Sequence, residues 1–321
     1  MEENKTAILS LCIPIYNREH FLRLQLSRYL EDKELFESEV ELIISDNCSQ
    51  DNLEAICVDF KNQGLNLKYK RQEMNIGPDG NFLWCFQNAT GKYVWLLGSD
   101  DIPITGLLRK LLVQLKDGEY GWFHINTKKQ RRKHPINIYA DNSQMIVDVN
   151  YMVTFMSSNI IRRESLSTID LSKYRGTYMI QVPAYINACY YYPSRNIVVD
   201  YGQIFEQESD MANNGGYNIF RVFVENLHSI IKEFVLNEKM TNVTFERFKR
   251  QEFKEFIVIF VVAFLIFRDK LRKNYDMTDS WNIILNNYAN HLYFYYDIIV
   301  RMIKVLIKPI LRFITCGRFP R

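Results

Sequence analysis

The sequence predicts an α/β protein, a mostly parallel sheet with helices on both faces, followed by a helical extension. Three observations predict it. Short apolar runs of strand type alternate with helix-spaced stretches through the first third of the chain. The first four of those runs each break into a loop rich in Asn, Asp or Gly, and in open parallel sheets ligands bind beyond the carboxyl ends of the strands. After Gly216 the pattern changes to long helical periodicities with few breakers.

In chain order, AILSLCIP is a strand and residues 19–30 a helix; VELIISD is a strand and 52–61 a helix; LNLKYKR is a third strand. NIGPDGN reads as a turn, 82–88 as a helix and KYVWLL as a fourth strand. A helix over 104–115 follows, then the strand GWFHIN and the basic loop KKQRRKHP, a solvated loop or a contact for a diphosphate-linked acceptor or anionic lipid. His124 in that strand reads as a packed histidine. FMSSNIIRRE and RNIVVDY supply further strands, and TYMIQVPAYINACYYY a helix between them. The domain boundary is expected near Gly216, giving 1–215 and 216–321.

Composition narrows the class. With 47% hydrophobic and 24% charged residues, the 321-residue chain is globular rather than disordered, and a net charge of +3 argues against nucleic acid as the main partner. The six cysteines form no C-x-x-C pair and several sit in apolar runs, so reduced, packed thiols and a cytoplasmic location are expected. MEENKTAILS lacks the features of a secretory signal. The longest uncharged apolar run, FIVIFVVAFLIF, is shorter than the ~20 residues that span a bilayer and reads as a buried helix.

The chemistry concentrates at GSDD, where a buried strand runs into two adjacent carboxylates. An acidic helix cap accounts for such a sequence. A hard-metal site accounts for it as well: carboxylate oxygens suit Mg2+ or Mn2+, and a bound cation removes the repulsion between Asp100 and Asp101.

Together, LSLCIPIYNRE, ELIISDNCSQDN, MNIGPDGN and GKYVWLLGSDD resemble, in order and spacing over roughly the first 110 residues, a family 2 glycosyltransferase of the GT-A fold. The similarity is to bacterial enzymes that build surface polysaccharides, abequosyltransferase-like proteins in particular. GGYNIFRVFVEN, 215–226, resembles a segment of the same subgroup. The resemblance implies a nucleotide-sugar-binding half over 1–110 and an acceptor half over 111–215. It places Pro14, Tyr16 and Arg18 against the donor, where Tyr16 can stack on a pyrimidine and Arg18 can face phosphate. It matches Asp46 to a base-binding aspartate, with an Asx-turn to Ser49 as the alternative. It sets Asn75 and Gly77 in a turn near the sugar nucleotide, with Asn81 and Asp79 either beside the donor or capping a helix. Asp101 matches the metal ligand and Asp100 the residue near ribose or metal. The family often shows Asp-x-Asp-Asp, and here Gly98 and Ser99 occupy the first two positions.

The implied activity is metal-dependent transfer from a UDP-sugar, with CDP, GDP and dTDP sugars as alternatives, to a hydroxyl of a lipid-linked or surface-polysaccharide precursor, with inversion. The family usually places its base at a helix start, but Gln181 stands there in this chain; Glu206, Glu208 and Asp210 are the nearest acidic cluster. Two other readings stay open. One is a degenerate paralogue acting as a binding or scaffold subunit. The other is a sugar-1-phosphate nucleotidyltransferase, whose Gly-rich, Arg- and Lys-bearing first loop PIYNRE does not resemble. At the C-terminus, apolar residues recur at helical spacing, and Arg301, Lys304, Lys308, Arg312, Arg318 and Arg321 all follow the last acid, Asp297. That pattern fits either an interfacial anchor, peripheral on the inner face of the cytoplasmic membrane, or a helix packed on the domain. Pro309 is expected to kink or end it.

Overall fold

The computed structural model describes residues 7–127, 134–206 and 216–316. The chain divides into two compact units, Met1–Asp210 and Met211–Arg321.

The first unit is built on one eight-stranded sheet. Its strands are β1 (Leu9–Ile15), β2 (Val40–Asp46), β3 (Lys68–Arg71), β4 (Tyr93–Leu96), β5 (Trp122–Ile125), β6 (Ile136–Tyr139), β7 (Asn159–Arg162) and β8 (Asn196–Val199), in the order β3-β2-β1-β4-β7-β5-β8-β6. β1 is buried along its whole length and pairs in parallel with β2 and β4, as expected of an apolar run covered on both faces. Pro14 lies inside β1 without breaking the sheet. Cys12 accepts the Leu97 amide at 2.9 Å, so its polar groups face β4, and Pro14, two residues on, faces the same way beyond the last residue that β4 pairs. Its missing N–H therefore costs no ladder bond.

The helices of this unit are α1 (Glu19–Leu30), α2 (Leu35–Ser38), α3 (Leu53–Asn62), α4 (Gly77–Asn88), α5 (Leu107–Asp117), α6 (Asn142–Val149) and α7 (Gln181–Tyr191). α1 buries Phe21, Leu22, Leu26 and Tyr29, and α5 buries Leu107, Leu108, Leu111, Leu112 and Leu115, the stripes that a period of 3.6 residues turns toward a sheet.

Three features differ from the sequence expectation. Most of NIGPDGN is not a turn but the first turn of α4, because Pro78 at the helix start has the dihedral a helix needs and no N–H to leave unpaired. β6 and α6 were not anticipated. β7 runs antiparallel to both β4 and β5, so the start of β7, not its end, lies at the rim where β4 ends.

The second unit comprises α8 (Leu227–Leu236), α9 (Asn242–Glu252), α10 (Val258–Ile266), α11 (Arg268–Arg272), α12 (Ser280–Tyr288) and α13 (Leu292–Cys316), with wide π-type turns over Arg221–Asn226 and Phe253–Ile257. Phe220, Val224, Phe253, Ile257, Val261, Ile284 and Tyr288 form its core. The apolar run 256–267 enters that core on one side, while Ile259, Leu265 and Phe267 are exposed. Of the two outcomes expected at Pro309, ending the helix is not seen: α13 runs on to Cys316, and the proline forfeits one backbone bond. No helix among the described residues is long and apolar enough to cross a membrane. Cys12, Cys48, Cys57, Cys85 and Cys189 are free thiols.

Candidate active site

The parallel pairing brings the loops after β1, β2, β3 and β4 to one rim. The turn after β4 is held from both sides. The Asp101 amide donates to the Gly98 carbonyl at 3.1 Å, closing the turn. From α1, the Gln25 amide donates to the carbonyls of Gly98 at 2.8 Å and Asp101 at 2.9 Å. From the 3-10 turn Met156–Ser158 just before β7, the Ser157 hydroxyl accepts the Gly98 amide at 2.8 Å and donates to Asp101 Oδ2 at 2.5 Å.

Gly98 makes this packing possible. A Cβ there would lie 2.5 Å from Asp101 Oδ2 and 3.2 Å from Ser157 Oγ. Having no side chain, Gly98 leaves open the space into which Asp101 folds back. Desolvation pushes the Asp101 carboxyl up to about 7; the neighbouring Asp100 charge adds to the rise and the Ser157 hydroxyl opposes it. No Lys, Arg or His among the described residues pairs with Asp101. Asp100 points outward, 48% exposed, and meets Arg18 Nη1 at 3.2 Å. Tyr16, 43% exposed, stands on the same β1 loop.

On the β2 side, Asp46 is buried. Its Oδ1 accepts the Ser49 amide at 2.8 Å, the Asx-turn named as its alternative, and its Oδ2 accepts the Tyr69 hydroxyl at 2.7 Å. Asn47 bridges onward: its amide donates to Asn75 Oδ1 at 2.9 Å and its carbonyl oxygen accepts the Ile76 amide at 2.9 Å. Asn75 Oδ1 also accepts the Gly77 amide at 2.9 Å, and Gly77 has φ +74°, a conformation that favours glycine. Asn81 is buried and spends both ends of its amide on Ser45, tying α4 to β2. Asp79, also buried, accepts the Tyr178 amide at 2.9 Å and the Ile180 amide at 3.4 Å, so it anchors the segment leading into α7. Neither makes the helix cap named as its alternative. Pro14 is buried in β1.

The base candidates are less gathered. Glu206 is ion-paired with Arg28 of α1, which also donates to Thr105 at 2.6 Å; Glu208 and Asp210 lie outside the described residues. Gln181, the first residue of α7, is buried and donates to the Thr154 carbonyl at 3.0 Å, while its Oε1 has no partner among the described residues. His124 is packed, with Nδ1 at 2.8 Å from Asn159 Oδ1. Two cavities of about 490 and 500 Å3 are lined by none of the donor or metal candidates. Sequence reasoning missed Ser157, Gln25 and Asn47. For Gln25 a signal existed: an uncharged polar residue in the apolar stripe of α1.

A model of the family described as glycosyl transferase family 2 matches residues 10–170, half of the chain. Abequosyltransferase RfbV of Salmonella typhimurium is 39% identical over 95 residues, 29% of this chain and 28% of that protein. The minor teichoic acid biosynthesis protein GgaA of Bacillus subtilis is 35% identical over 153 residues, 44% of this chain and 33% of that protein. The chain thus spans about a third of the length of these relatives. Among solved structures, S. aureus TarS 1-349 superposes with a TM-score of 0.59 at 19% identity, covering 80% of this chain and 74% of that one. Glucosyl-3-phosphoglycerate synthase from Mycobacterium tuberculosis gives 0.50 at 15% identity, covering 71% and 80%. Sheet, rim and sequence match converge: the chain belongs to glycosyltransferase family 2 and has the GT-A fold.

Proposed function

We propose that this protein transfers a sugar from a nucleoside diphosphate donor to a hydroxyl of a lipid-linked or surface-polysaccharide precursor, with inversion, and that Asp101 and Asp100 would hold a Mn2+ or Mg2+ ion for the donor diphosphate. The observation that carries the reading is Asp101, a desolvated carboxyl at the carboxyl-end rim with a second carboxylate beside it and no cation against it among the described residues. Such a group fits an external cation: binding one relieves both the desolvation cost and the repulsion from Asp100. When bound, a divalent ion supplies Lewis-acid stabilisation to the departing diphosphate.

The chain's own residues do the rest. Tyr16 offers its exposed ring to the base, and Arg18, at the same mouth, offers a guanidinium to the phosphates. The Asn47–Asn75 pair fixes the turn that opens α4 next to the sugar. The acidic cluster Glu206, Glu208 and Asp210 supplies the group that takes the acceptor proton, and replacing each by its amide identifies it by a loss of ~10²–10⁴ in rate. A UDP-sugar is the favoured donor, since TarS has been solved in complex with UDP-GlcNAc and the mycobacterial synthase in complex with UDP and Mn2+. A surface-glycan acceptor is favoured by the two sequence relatives, an abequosyltransferase and a teichoic acid biosynthesis protein.

Calorimetry with UDP, CDP, GDP and dTDP, each with and without Mn2+, tests the reading. Metal-dependent binding of one nucleotide, abolished in Asp101→Ala, is expected. Binding of none, or binding indifferent to both metal and Asp101, removes it.

A further inference from the structure

Helix α13 has two apolar faces. One of them, Phe294, Ile298, Met302 and Val305, packs against the core of the helical unit. The other, Leu292, Tyr296, Ile299, Ile303 and Leu306, recurs at three- and four-residue spacing and so follows one line along the helix. Each of these five residues is between 49% and 88% exposed. Packing on the domain accounts for the first face and leaves the second unexplained, since large apolar side chains aligned over four turns are not the scattered exposure of an ordinary surface. Beyond Asp297, near its start, the helix carries charge of one sign. After Asp297 the sequence has six cations and no acid; Arg301 and Lys304 are spaced as one row, and Lys308 and Arg312 continue that spacing in sequence. At ~100° per residue the cationic row falls across the helix from the exposed apolar one.

We propose that α13 lies flat in the headgroup layer of an anionic bilayer, with Leu292, Tyr296, Ile299, Ile303 and Leu306 turned into it. An apolar row, a Lys/Arg-rich opposite side and tyrosines with one polar end are the features of a helix that rests in the interface. Charge decides between the candidate occupants. A second copy of this helix would bring four further cations, Arg301, Lys304, Lys308 and Arg312, and no acid after its own Asp297, whereas an anionic lipid surface attracts every one of them. The contact is independent of the proposed transfer reaction, because it requires neither donor nor acceptor.

The test is co-sedimentation of the full chain with vesicles of phosphatidylglycerol mixed with phosphatidylcholine, and with vesicles of phosphatidylcholine alone. Binding to the anionic vesicles is expected, about tenfold or more weaker without the anionic lipid. Combining Ile299→Ser, Ile303→Ser and Leu306→Ser lowers it by about tenfold or more, while Arg301→Gln and Lys304→Gln each lower it about fivefold. All five side chains are outside the buried core, so far-ultraviolet dichroism and melting stay as in the parent. The proposal is overturned by a parent protein that leaves anionic vesicles unbound, or by a triple variant that binds them equally well. It is also overturned if the parent sediments as a dimer that the triple variant dissociates, with no vesicle binding by either, because the row then meets a second copy.

Discussion

Asp101 at the sheet rim and Glu252 in the helical unit are both desolvated carboxyls whose affinity for a proton burial has raised. They differ in what the chain places against them. Glu252, on α9, is fully buried and has His228 of α8 at 2.6 Å, with the Tyr288 hydroxyl of α12 at 3.4 Å. Asp101 has a serine hydroxyl and a neighbouring aspartate. Burying a carboxylate is costly without a partner. Where the chain supplies that partner, the carboxylate is part of the packing; Asp101 has no cation against it among the described residues, which leaves room for a partner from solution.

The sharpest way to break this contrast is to remove the partner of one carboxylate and the charge of the other. His228→Ala leaves buried Glu252 with only the longer Tyr288 hydroxyl contact, and is expected to cost the helical unit ~1–3 kcal/mol, read by urea unfolding. Full stability in that variant would show that the pair does not hold the helices together. Asp101→Asn is expected to do the opposite: a loss of ~10²–10³ in sugar-nucleotide turnover, the scale of deleting one electrostatic stabiliser, with the melting temperature falling by no more than ~3 °C. Turnover unchanged in Asp101→Asn would place the cation elsewhere and make the two carboxylates equivalent.

The sequence exposed the two regions unequally, for physical reasons. β1, β2 and β4 were legible because strands buried on both faces are continuous apolar runs. The GSDD turn was legible because paired acids after such a run need an explanation. β6 was not, because INIY is a short edge strand with only Tyr139 buried, and α6 was hidden because it is two turns long. The direction of β7 was not legible either. Direction is set by pairing with β4 and β5, which are distant in sequence, and local periodicity carries no trace of it. Ser157 reaches Asp101 only because β7 is antiparallel, so the residue that most closely holds the candidate metal ligand was invisible. Glu252 and His228 were missed for a similar reason: each looks like an ordinary polar residue until α8 and α9 pack.

The contrast also has a pH signature. The folded-state pKa of Asp101 is raised, to about 7, so the folded chain holds this proton more tightly than the unfolded chain. The resulting stability is fully present below the unfolded pKa of ~3.9 and is lost as pH climbs through about 7. A cation competes with the same proton. Its affinity is therefore expected to weaken by about tenfold per unit as pH falls below that value, with one proton released on binding. Titrating Mn2+ by calorimetry in buffers of different ionisation enthalpy counts that proton; a count of zero at pH 6 would mean that Asp101 is not the ligand.

The smallest change tests the frame rather than the ligand. Ser157→Ala removes the hydroxyl that accepts the Gly98 amide and donates to Asp101, at a cost of about 1 kcal/mol in stability. Because that hydroxyl holds the Asp101 pKa down, its loss moves the pKa up, and the pH below which Mn2+ affinity declines moves up with it. A serine that merely packs would lower stability and leave the pH midpoint alone. The shift in midpoint, with Asp101 untouched, is what distinguishes a carboxylate poised by its neighbours from one that is simply nearby.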